Sequence, residues 1–133
     1  DVYKRQIEML QAFNTGHDGS FSTGHANSAK DMLSRLETMV LMGMELPLPA
    51  IRSQIASGID FLIHLGRMRD KSRKVLSITE IAGYEENQII LNDIYRFKEE
   101  KAEENTVHGA MEKVGELIHT EKMIRAGYCL DGL

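Results

Sequence analysis

Near Ile59 the hydrophobic period of the chain changes, and no other feature constrains its fold as much. Upstream, Ala29, Met32, Leu33, Leu36, Met39 and Val40 recur every third or fourth position and make one face of a helix. From Ile59 onward the interval is two, so Phe61, Ile63 and Leu65 share one side of an extended strand. Helices followed by strands within one short chain set the expected class as α/β.

Local signals divide the chain further. Ile7, Met9, Leu10 and Phe13 form a helical stripe closed by Asn14, Thr15 and Gly16. A short strand, Ser20 to Thr23, is expected next. Ser28 and Asp31 read as a capping box opening a helix that ends near Gly43. Its Met residues suit irregular core packing, with a partner surface as the alternative. Pro47 and Pro49 bracket a second helix, about Pro49 to Ser57, which buries Ile51 and Ile55 and closes at Gly58. After the strand at Ile59 to Leu65, Asp70, Lys71 and Ser72 make a turn. Strands Val75 to Ile81 and Ile89 to Phe97 follow, joined by a polar turn at Tyr84 to Gln88. Short polar turns between consecutive strands predict a three-stranded antiparallel meander. Lys98 to Asn105, KEEKAEEN, offers little apolar surface and is expected to be a solvated linker or frayed helix. Thr106 to Gly115 has weak helical character, and Thr120 caps a short helix, Glu121 to Ala126, stopped by Gly127.

Composition narrows the function classes. An apolar fraction of 42% and a charged fraction of 27% are ordinary for a globular chain. A net charge of −4 gives no general attraction to nucleic acid or acidic lipid. The single cysteine, Cys129, cannot close an internal disulfide, and no apolar run approaches the roughly 20 residues that span a bilayer. These properties point to a cytoplasmic protein without a transmembrane segment. His17, Asp18 and His25 fall short of a zinc ligand set, so no metal site is expected.

Gly16 to Ser28, GHDGSFSTGHANS, carries the densest polar signal. Thr23 and His25 stand where a strand would end before a helix, the place where an open sheet presents side chains to ligand. An imidazole there can donate a hydrogen bond to a phosphate oxygen, and a threonine hydroxyl can do the same directly or through water. The alternatives are a solvated loop histidine and an ordinary strand threonine. Asn27 is read as helping to cap the next helix. Arg67, Arg69, Lys71, Arg73 and Lys74 crowd one hairpin, read first as a solvated tip and alternatively as a contact for nucleic-acid phosphates, which the lack of an interleaved aromatic residue for base stacking weakens.

With the stretch KDMLSRLETMVLMGMELPLPAIRSQIASGIDFLIHLGRMRDKSRKVLSITEI, this segment resembles the C-terminal part of the type II/type IV secretion ATPases. It is most like the ATPase of tight-adherence (Flp) pilus assembly. The resemblance runs from about Ile7 to Phe97 and, more weakly, from Leu117 to Gly127. It implies a piece of a RecA-like P-loop domain, with Ile7 to Phe97 as its C-terminal part, Lys98 to Leu133 as a charged linker and tail, and Asp1 to Gln6 as non-native scar residues. It also implies that STGHAN is a His box, with His25, helped by Thr23, facing the γ-phosphate of ATP. The ATP and Mg²⁺ would be held mainly elsewhere, because the pattern G-x-x-x-x-G-K-[ST] that cradles phosphate is not in the chain. GRMRDKS, Gly66 to Ser72, does not supply it. The implied assembly is a homohexamer at the cytoplasmic side of the inner membrane, working on platform proteins of a pilus or export system, without direct nucleic-acid contact. The alternatives are an ATPase of a conjugation system, which shares the His box, and a non-enzymatic interaction module.

Overall fold

The computed structural model describes Gly19 and residues 21–129. The expected helix at Ile7 to Phe13, His17 with Asp18, and Asp1 to Gln6 lie outside these residues. The chain divides into two units, one holding both long helices and the hairpin end Gly83–Ile90, the other holding Phe61–Ala82 and the chain from Leu91 onward.

In the first unit, helix α1 spans Ala29–Gly43 and helix α2 spans Leu48–Gly58. Ser28 caps α1 as its sequence requires: its Oγ accepts from Asp31 N–H at 3.1 Å. Pro49 sits in the first turn of α2, where its missing N–H costs nothing. The two helices pack together. Leu33, Leu36 and Val40 of α1 are buried, as are Ile51 and Ile55 of α2, the last two at 0% exposure. Truncating either isoleucine removes about 2–5 kcal/mol through lost transfer energy and the cavity left behind. Polar contacts fix the geometry around this core. Arg52 Nε pairs with Glu37 at 3.0 Å, and its Nη1 donates at 2.9 Å to the Asn87 carbonyl in the hairpin end.

The four strands β1 (Phe61–Arg67), β2 (Arg73–Glu85), β3 (Gln88–Ala102) and β4 (Val107–Lys113) lie in chain order in one antiparallel sheet. This is the expected meander with one strand more. The β2–β3 turn is only Glu86 and Asn87, both at positive φ (50° and 63°), the backbone of a tight two-residue hairpin. Thr79, Glu80, Ile81, Ile94 and Val107 are buried in the second unit. The alternation of Phe61, Ile63 and Leu65 is present, but these are the exposed positions of β1, at 44%, 56% and 62%. Helix α3 (Glu121–Arg125) follows. Thr120 stands at its N-cap without a side-chain cap bond. Gly127, at φ 84°, ends it: Gly127 N–H donates to Ile124 O and Tyr128 N–H to Met123 O, both at 3.0 Å.

Three local expectations are overturned. Residues 21–26 are irregular, so the short strand at Ser20 to Thr23 does not form in its described part; among the described residues nothing pairs with it, and a lone strand has no ladder to stabilise it. Lys98 to Asn105 is neither linker nor helix, because β3 continues to Ala102. Thr106 to Gly115 is not helical, because Val107 to Lys113 is β4 and pairs with β3 from Ala102↔Val107 to Tyr95↔Lys113.

Candidate functional site

The loop 21–28 leads directly into the N-terminus of α1. Phe21, Ser22, Thr23, Gly24, His25 and Asn27 are all exposed. Phe21, at 97%, is the most exposed large apolar side chain among the described residues. Two contacts hold the loop against α1. Arg35, two turns into the helix, donates from Nη1 to the His25 carbonyl oxygen at 2.5 Å. Met32 lies under Gly24 so closely that a Cβ there would come within 2.6 Å of its Cε. The main chain at His25 is therefore anchored, while the imidazole and the Thr23 hydroxyl face outward. Sequence reasoning did not find Arg35 or Met32 as supports, since neither residue type carries a spacing signal for contact with a loop.

The donors assembled here suit one kind of contact. Thr23 and His25 offer hydrogen bonds to an oxyanion, and the first turn of α1 adds the positive end of its dipole. They do not form a triphosphate cradle, and no group of acidic or histidine side chains among the described residues is placed to hold a metal ion. Asn27 does not take the cap position, which Ser28 fills.

The basic hairpin is not a uniformly solvated tip. Arg69 is drawn onto the β3–β4 turn. It pairs with Glu99, donates from Nε to the Glu103 carbonyl at 2.9 Å and from Nη2 to the Thr106 carbonyl at 3.1 Å. The hydrogen bond and charge of Glu99 raise the guanidinium above its ordinary range, and Arg69 in return holds the Glu99 carboxyl down. Asp70 accepts from Ser72 N–H and from Val107 N–H, each at 3.0 Å, and the Ser72 bonds foremost hold its carboxyl low. The acidic run is thus a structural partner of the hairpin, not a tether.

Over residues 4–126 the chain matches the family of type II/IV secretion system proteins. The chain belongs to that family. A Mycobacterium tuberculosis protein named for conjugal transfer is 35% identical over 72 residues, which cover 54% of this chain and 20% of that protein. The conjugal transfer protein TrbB of Rhizobium radiobacter is 32% identical over 81 residues, 61% of this chain and 24% of TrbB. The chain thus spans about a fifth to a quarter of the curated relatives it matches. The mixed helical and antiparallel architecture agrees with a piece of such a secretion domain. No helix among the described residues is long and apolar enough to cross a membrane.

Proposed function

We propose that this chain is part of an ATPase that powers a type II/IV secretion machine, and that loop 21–27 meets the terminal phosphate of an ATP gripped by a cradle lying outside the chain. The family match over residues 4–126 carries this reading. The loop supports it: its main chain is tied to α1 by Arg35, and its polar side chains and Phe21 are exposed for something further to contact. His25 donates to a γ-phosphate oxygen, and Thr23 bonds the same group or a bridging water. Phosphoryl transfer is governed by positioning and by charge on the equatorial oxygens, so a donor there stabilises the transition state more than the bound nucleotide. Mg²⁺ would supply the neutralisation of β- and γ-oxygens, bound by residues of the cradle. The working assembly in this reading is a cytoplasmic homohexamer beside the inner membrane, acting on membrane platform proteins.

Pilus assembly of the tight-adherence type is the finer reading favoured by the stretch from Ser28 to Ile81. The names of the relatives favour a conjugation system instead. Deletion of the gene, scored for surface pili and for plasmid transfer in parallel, separates the two. For the site, His25→Ala in the complete protein should lower the hydrolysis rate about 100-fold while ATP affinity changes little. Equal loss of rate and affinity would remove His25 from the phosphoryl contact.

A further inference from the structure

Two arginines face each other across the turn end of the β1–β2 hairpin. The register sets Arg67 directly opposite Arg73 and Gly66 opposite Lys74. Opposed residues leave the same face with Cβ atoms about 5 Å apart, and like charges so placed destabilise the ladder. Both arginines are exposed, and among the described residues neither makes an ion pair. Lys71, exposed in the same turn at φ 68°, makes none either.

Two acidic groups closest to the hairpin turn are already committed. Asp70 turns its two oxygens to Ser72 and Val107, and Glu99 is taken by Arg69. The turn between the two arginines is also braced. Met68 N–H donates to Ser72 O at 2.8 Å and Lys71 N–H to Met68 O at 2.9 Å, while Arg69 pins the loop to the β3–β4 turn. The hairpin therefore fixes the backbone positions that set Arg67 and Arg73 opposite each other.

A guanidinium presents a planar fork to oxyanions. Two forks and an ammonium carried on one hairpin tip match an anion with oxygens on more than one centre. A nucleic-acid strand fits poorly, because two arginines and a lysine on one turn offer few phosphate contacts and no aromatic residue is interleaved among them for base stacking. We propose that Arg67 and Arg73, with Lys71, form a binding site for a di- or triphosphate group at the tip of the β1–β2 hairpin. The site is separate from the His25 loop and requires only the anion, whether free or carried by a nucleotide.

The test follows hydrogen exchange of peptides covering residues 66–74 in the complete protein, with and without inorganic tripolyphosphate at physiological salt. Wild type should be protected by the anion. The Arg67→Gln/Arg73→Gln variant should need roughly tenfold more for the same protection, the loss expected of a charge-assisted bond. Without ligand, that variant should melt no lower than wild type, since its repulsion is gone. Equal protection in both proteins, no protection in either, or protection by polyglutamate or duplex DNA but not by tripolyphosphate would overturn the site. A lower ligand-free melting temperature in the variant would make the pair structural and overturn it as well. Because the readout is local and uses no hydrolysis, failure here leaves the ATPase reading untouched, and failure of that reading leaves this one standing.

Discussion

Glu80 is a buried carboxylate that ties the segment after β4 to the sheet. It is 2% exposed, yet its Oε1 accepts from Ile118 N–H at 2.9 Å and Asn92 Nδ2 at 3.2 Å, and its Oε2 accepts from His119 N–H at 2.9 Å. Asn92 Nδ2 also reaches the Glu116 carbonyl at 2.7 Å, so the segment 116–119 is strapped to the sheet mainly through its backbone. Burial pushes the Glu80 carboxyl up, but the amide donors outweigh it and leave the group below its ordinary value of 4.5. The folded value being the lower one, the contribution of Glu80 is complete above the ordinary value and is lost as pH falls through the folded one. Glu80→Ala should cost about 2 kcal/mol at neutral pH by stranding those donors. Below pH 4.5 the gap to wild type should narrow. Melting curves of both proteins between neutral pH and pH 3 check this, and a gap independent of pH would contradict it. Ser28 was legible as a cap because capping is local. Glu80 was not, because the donors it serves lie 38 and 39 residues away.

At the scale of elements, β3 and β4 show how a charged stretch joins a sheet. In 97–100 the exposure alternates, with Phe97 and Glu99 half-buried and Lys98 and Glu100 exposed. The pattern has the strand period, but one inward position holds a carboxylate that only Arg69, 30 residues away, makes tolerable. Composition alone therefore suggested a tether. Opposite it, Gly109 pairs with Glu99, and a Cβ on Gly109 would lie 2.2 Å from the Lys98 carbonyl oxygen. That oxygen belongs to the backbone and cannot rotate away. Gly109→Ala should therefore destabilise the protein by about 2 kcal/mol and loosen β4 from β3. Amide exchange across Val107–Lys113 measures this, and unchanged protection would mean the strands slide apart without cost. The loop 21–26 failed the other way. Its residue types suit a strand, but no neighbour among the described residues supplies the ladder.

At the scale of the whole molecule, the chain is a family member that spans a fifth to a quarter of its curated relatives. Two outcomes belong to this scale. The 133-residue chain alone should not hydrolyse ATP, since its sequence contains no phosphate-cradling G-x-x-x-x-G-K-[ST] motif. Phosphate release by the purified chain above a buffer control would contradict this. Phe61, Ile63 and Leu65 line one exposed face of an edge strand, a surface that ordinarily meets another layer or another strand. The isolated chain should therefore bind hydrophobic dye and elute as heterogeneous assemblies on gel filtration. A monodisperse monomer with a sharp cooperative melt would show that this face is stable in water.

The sequence by itself determined what depends on neighbours in the chain: the helix period of α1, its Ser28 start, the proline entry to α2, the alternation of β1 and the glycine stop after α3. It also carried enough family resemblance to point to a secretion protein. Only the tertiary structure decided which side of β1 is covered, how far β3 runs, that Arg69 and Glu99 belong together, and that Arg67 faces Arg73. The period of a segment is a property of consecutive residues, whereas the cost of burying or opposing a charge depends on the partner that the fold brings to it from far along the chain.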